Sequence, residues 1–345
     1  MNITAMQGKP QPTGLTPTTP KPKARRMSLA AATSGIVVEP FRILLYGEEK
    51  LGKSTFAAGA PGAIWLGADK GTGHLNVRRM PEPETWADVL DALAELEENG
   101  AAHGVKTIVI DPLGWFEAIL VRGIIPNGGS LAKWGGGHGA GYQEMTTRWR
   151  QFMAAVERCW LRGMNILFIA HSAVKMFHDP LGPEFERYEV AADKRLVGPV
   201  KQWVQHILFV KQEVFVRSDE KTKRTKAFGD GARYIYTQNS PAFDAGNRAS
   251  LPARLPLSWH EFEAALANGS RQHDALKAQI EAGLVELGDE MLALKVREGL
   301  AQGFDIAEIA NAVSAKLEEK RQADAEQTND TDTDTDNAAA EQQGE

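Results

Sequence analysis

The stretch Gly47-Glu48-Glu49-Lys50-Leu51-Gly52-Lys53-Ser54-Thr55 decides how this chain is read. It fits the phosphate-loop pattern G-x-x-x-x-G-K-[ST], in which glycines let successive backbone N–H groups and a helix N-terminus close around phosphate oxygens. Its flanks suit that role. Residues 41–46 read as a buried strand, and residues 54–60 read as a short helix stopped by Pro61-Gly62. All nine positions from Gly47 to Thr55 are therefore expected to contact a nucleoside triphosphate, with ATP and Mg²⁺ as the implied cofactors. Lys53 would reach the β- and γ-phosphates, and the Ser54 hydroxyl would ligate the metal. Thr55 would support the helix start or face the α-phosphate.

Outward from the loop, strand and helix text alternates. Residues 63–66 read as a second strand, followed by Asp69 in a Gly-containing turn. An acid there is placed to orient and activate the water that attacks the γ-phosphate. Thr85 and Asp88 form a capping box opening a helix with Trp86, Val89, Leu90, Leu93 and Leu96 on one stripe, stopped by Asn99-Gly100. The apolar run 107–110 ends in Asp111, the pattern of a strand-end carboxylate that holds the Mg²⁺ shell through water. A Gly-rich loop over 127–141 leads into a helix whose stripe Met145, Trp149, Phe152, Met153, Val156 and Trp160 reads as core. Residues 166–170 form another strand. His171, at its expected carboxyl tip, is placed to sense the γ-phosphate and pass that signal to the following loop.

Alternation of this kind predicts an α/β fold with a mostly parallel central sheet and ligands at the carboxyl ends of its strands. Residues 207–216 and 233–237 read as paired strands joined by a basic turn containing Lys221, Lys223, Arg224 and Lys226. Residues 260–321 are helical text, interrupted near Gly288 and Gly303. The expected organisation is a disordered basic arm over 1–38, a nucleotide-binding core over 39–258, a helical region over 259–322 and a disordered acidic tail over 323–345.

With 345 residues and 43% hydrophobic content, the chain can bury a large core. A lone cysteine, Cys159, excludes an internal disulfide framework and fits a reducing cytosol. The chain has no apolar run long enough to span a membrane, and its start lacks the apolar core of a secretory signal, so a cytoplasmic location is expected.

Taken together, the segments RILLYGEEKLGKSTFA, ADKGTGHL, TIVIDPL, NILFIAHSAVKMFHDPLGPEFERYEV, WVQHILFV and RYIYTQNSPAFDAGNRASLP resemble the phage-encoded RecA-like ATPases that include single-strand-annealing proteins, over roughly residues 40–258. The resemblance implies a RecA-like, DNA-stimulated ATPase that binds single-stranded DNA in recombination or annealing. It also implies a ring or filament of identical subunits, a single-strand-binding or recombination partner protein, and the cytoplasm of an infected bacterial host.

Residue by residue, the resemblance carries phosphate contact to Lys53, Mg²⁺ to Ser54 and Asp111, the γ-phosphate sensor to His171 and the catalytic acid to Asp69, where the family usually has Glu. It places DNA-facing loops at about residues 125–142, with Lys133 and Trp134, and at about 172–196, with Lys175, Arg187, Tyr188, Lys194 and Arg195. Cations there would neutralise phosphates while rings stack on unpaired bases. A small-molecule kinase would share the phosphate loop, and a helicase-type or partner-loading protein with little turnover would share the DNA contacts as well.

Overall fold

The computed structural model describes residues 39–67, 70–180, 182–219, 224–229, 231–301 and 304–341. The basic arm, Asp69, Lys221, Lys223 and Gly303 lie outside the described residues.

The core is a sheet with helices on both faces. In chain order its parallel strands are β1 (Arg42–Gly47), β2 (Ala63–Leu66), β3 (Arg78–Arg79), β4 (Thr107–Ile110), β5 (Asn165–Phe177) and β7 (His206–Gln212). Their spatial order is β7-β1-β5-β4-β2-β3, and β10 (Arg233–Tyr236) and β11 (Arg254–Pro256) extend the β7 edge in antiparallel pairing. Strands β1, β2 and β4 are almost wholly buried because helices cover both faces, which is why their sequences are continuous apolar runs rather than alternating ones.

Within each strand the two faces still divide by parity. Leu44, Tyr46, Ile108, Ile110, Ile166 and Phe168 face α2 (Trp86–Asn99), α3 (Leu113–Ile124), α4 (Ala140–Leu161) and α5 (Lys194–Trp203). Ile43, Leu45, Val109, Leu167 and Ile169 face α1 (Lys53–Ala58) and the first turns of α6 (Trp259–Leu287). The capping box on α2 forms as its sequence requires, and the Met145-to-Val156 stripe of α4 is core.

Two segments differ from the sequence reading. Strand β5 does not stop at His171 but runs on to Phe177, where Ser172–Phe177 pairs antiparallel with β6 (Phe185–Val190). Residues 172–196 are therefore mostly a hairpin and the start of a helix, and Lys175 and Arg187 are cross-strand partners within it. The text between β7 and β10 is a separate hairpin, β8 (Phe215–Asp219) with β9 (Arg224–Phe228), so Arg224 and Lys226 lie in a strand. The helical carboxyl region comprises α6, α7 (Glu290–Ala301) and α8 (Ile306–Glu341).

The helices α6 to α8 pack through Ile280, Leu284, Ala310 and Val313, with Gly288 in the left-handed conformation ending α6. Among the described residues no helix is long and apolar enough to cross a membrane.

His206, at the start of β7, is buried edge-on to Phe262, and burial, with the Arg248 charge adding, pushes its imidazole down to about 4. The unfolded chain takes up that proton near pH 6.5, so it binds more protons than the folded protein between about pH 6.5 and 4. Stability should therefore fall as pH drops through this window. Urea unfolding between pH 7 and 4.5 should show a smaller loss for His206→Phe than for the parent; equal losses would exclude His206 as a source.

Candidate functional site

The phosphate loop lies where β1 gives way to α1, at the carboxyl edge of the sheet. Gly52 sits at the helix N-cap with φ of 93°, a left-handed conformation that glycine adopts without strain. Lys53 follows it and is only 5% exposed, with Nζ donating to the carbonyls of Gly47 (3.0 Å) and Glu48 (2.6 Å). The loop's own carbonyls thus hold the ammonium at the mouth of the loop, where phosphate oxygens would compete for the same protons.

From α1 the Ser54 hydroxyl donates to Asp111 Oδ2 at 2.9 Å. Asp111 follows the last residue of β4 and is 3% exposed. A second donor, Trp65 Nε1 on β2, lies 3.4 Å from the same oxygen. The hydroxyl and carboxylate are hard oxygen donors of the kind that suits Mg²⁺, which binds through one or two protein oxygens together with substrate phosphates. They fit the metal that the loop motif implies. When bound there, Mg²⁺ would neutralise charge on the β- and γ-phosphates.

His171 pairs in register with Gly47 on the neighbouring strand β1. Counting two residues from Ile169, which packs in the core on the α1 side, places His171 on the sheet face that carries the phosphate loop. Lys53, Ser54, Asp111 and His171 therefore converge at one edge. Glu48, Glu49 and Lys50 are exposed on the loop's outer surface, Lys50 with a positive φ of 60°, while Leu51 is buried beneath it and Thr55 is exposed on α1.

The proposed DNA contacts lie elsewhere on the molecule. Lys133 is exposed, and Trp134, in a short 3₁₀ turn, is half-buried against the larger core. Arg195 is paired with Asp193 at 3.0 Å and stacks over Tyr142 at 4.2 Å; Lys194 beside it is exposed.

One contact escaped the sequence reading. Arg233, on the antiparallel strand β10, donates from Nη1 to the Leu51 carbonyl at 3.0 Å, bracing the loop from the sheet edge. A β-carbon on Gly52 would come within 2.8 Å of that guanidinium, so the glycine also makes room for the brace. Nothing near Arg233 in the chain announces this, because its partner is 182 residues away.

A sheet whose phosphate-loop strand and acid-bearing strand are separated by one intervening strand, with Lys53, Ser54 and Asp111 converging at its carboxyl edge, defines a P-loop nucleotide-binding ATPase. Residues 39–249 match the AAA domain family, and the chain belongs to it. No curated protein matches. Among solved structures, a KaiC-like protein from the hyperthermophilic archaeon Pyrococcus horikoshii is 11% identical, with 63% of this chain and 85% of that one covered and a TM-score of 0.32. That likeness is too slight to bear on function.

Two substitutions separate phosphate contact from loop bracing. Lys53→Ala should weaken ATP binding by about 2–3 kcal/mol, roughly 30- to 150-fold in Kd, since a charge-assisted contact is lost. Arg233→Ala, losing a partly exposed hydrogen bond, should weaken it by about fivefold, or roughly 1 kcal/mol. Titration with a fluorescent ATP analogue measures both, and undiminished binding by Lys53→Ala would remove the loop from the site.

Proposed function

We propose that this protein is a RecA-like ATPase that hydrolyses ATP and binds single-stranded DNA in phage recombination or annealing. Hydrolysis is supported by the Ser54–Asp111 contact beside Lys53, which supplies metal ligation and phosphate charge neutralisation together. Asp69, two positions past Gly67, is the proposed acid that activates the attacking water.

The observation that carries DNA binding is the meeting of the two candidate segments. The Arg195 guanidinium at the end of the second lies over the Tyr142 ring at the end of the first. Alongside, one face of the β5–β6 hairpin carries Lys175 and Arg187 with the paired rings Phe177 and Phe185, whose centroids are 5.2 Å apart. Cations that neutralise phosphates interleaved with rings that stack on bases form a sequence-tolerant single-strand platform. Arg187 lies over Phe177 at 4.9 Å, so guanidinium and ring form one surface.

The hairpin grows directly out of the strand that carries His171. ATP at the phosphate loop would thus bias the DNA surface through a single continuous strand. By linkage, ATP should raise DNA affinity and DNA should raise ATP affinity by the same factor. Fluorescence anisotropy of a labelled oligonucleotide, with and without a non-hydrolysable ATP analogue, tests the coupling; identical curves would reject it. Replacing Lys175 and Arg187 together with Ala should lower the slope of log K against log salt by about 1.4, two contacts at roughly 0.7 each on a single strand. An unchanged slope would place the DNA elsewhere, and ATP turnover indifferent to DNA would favour a kinase-like or partner-loading role.

A further inference from the structure

We propose that Trp65 is a positioning residue for the divalent metal that accompanies the nucleotide, acting by fixing the Asp111 carboxylate with its indole N–H. The inference rests on the reading of Ser54 and Asp111 as the metal's protein oxygens.

Trp65 is the third residue of β2 and is 4% exposed. It sits opposite Val109 in the β2–β4 register, and Asp111 follows Val109 by two residues, so indole and carboxylate lie on the same face of the sheet. Nε1 lies 3.4 Å from Oδ2, the oxygen that also accepts the Ser54 hydroxyl. The backbone holds the pair in place. Asp111 N donates to the Leu66 carbonyl at 3.2 Å, and Gly67, with φ of 137°, lies so close to the Asp111 carbonyl that a β-carbon would collide with it.

An indole N–H donates and cannot accept, so this contact favours a carboxylate turned with Oδ2, as an acceptor, toward the ring. The core alone does not require it. Trp86, Trp203 and Trp259 bury their ring nitrogens with no hydrogen-bond partner, and an apolar ring would fill the same kind of space at position 65. The Ser54 hydroxyl must also offer its oxygen to the metal, which leaves the indole as a donor to Asp111 that has no second task. Groups that orient metal-binding carboxylates in this way commonly change metal affinity by about 10- to 100-fold when removed, and the 3.4 Å separation puts Trp65 at the low end of that range.

The test uses the full chain with ADP and Mn²⁺, following free Mn²⁺ by its electron paramagnetic resonance signal. Trp65→Phe should weaken nucleotide-dependent Mn²⁺ binding by about tenfold, while ADP affinity measured in EDTA stays as in the parent. In an Asp111→Asn background the same substitution should add nothing, because the group it acts through has gone. Equal Mn²⁺ affinity of Trp65→Phe and parent overturns the proposal, and so does a full additional loss on top of Asp111→Asn. If the parent itself shows no nucleotide-dependent Mn²⁺ binding, the reading of the site fails and this inference with it.

Should Trp65→Phe fail to fold, ¹⁵N-labelled indoles report the same contact from the other side. Of the eight tryptophans, one indole N–H resonance should move both on Asp111→Asn and on adding Mg²⁺ with ADP. If none moves, Trp65 does not hold Asp111.

Discussion

The hydrogen bond between the Ser54 hydroxyl and the Asp111 carboxylate joins the start of α1 to the residue that follows β4, 57 residues apart, and the order of the sheet makes it possible. Strands β1 and β4 do not touch; β5 lies between them, parallel to both. Gly47 pairs with His171, Phe168 with Ile110, and Ile110 with Leu66, so every chemically active residue leaves the sheet at the same edge. Parallel pairing makes this obligatory. Each crossover returns through a helix to begin the next strand at the far edge, so all carboxyl ends collect on one side, where a ligand crevice opens.

That arrangement works against stability. Lys53 and Asp111 are charged groups with almost no exposure, and a buried charge is tolerated only when it is paired or well hydrogen-bonded. Lys53 finds carbonyls of its own loop, and Asp111 finds a hydroxyl and an indole N–H. Apolar residues of similar size would stabilise the same positions more simply. Charges retained at such sites are therefore best explained by chemistry that needs them, and the departure from ordinary core composition marks the site as clearly as the glycine pattern does.

How much of this was legible in the sequence depended on whether the cause was local. The phosphate loop, the strand 63–66, the α2 capping box and the stripe on α4 each have their cause within about a dozen residues, and each formed as read. The sequence pattern shows strand β5 only as far as His171 because its continuation leaves the buried sheet. From Ser172 on, the residues are half-exposed, and their strand character comes from pairing with β6 across a turn rich in proline and glycine. The two contacts that tune the site, Arg233 to Leu51 and Trp65 to Asp111, join segments 182 and 46 residues apart, and no periodicity encodes either.

The carboxyl helices are tied to the nucleotide site more closely than a separate region would be. Helix α1 has six residues, too few to be stable alone, and depends on packing for its existence. It receives that packing from the start of α6. Phe56 lies 5.3 Å from the ring of Trp259 and 5.8 Å from that of Phe262, and Gly59 leaves room for Trp259 to press against the end of α1. The same helix runs without a break to Leu287, where Ile280 and Leu284 pack against Ala310 and Val313 of α8. At 1.5 Å per residue its 29 residues form a rod of roughly 40 Å. One end seats the phosphate-loop helix and the other anchors the terminal helices. Any displacement of α1 would break the aromatic contact with Trp259 and Phe262 or carry α6 with it. Tightly packed aromatic interfaces of this kind shift as units rather than deform, so the start of α6 fixes where α1 can sit.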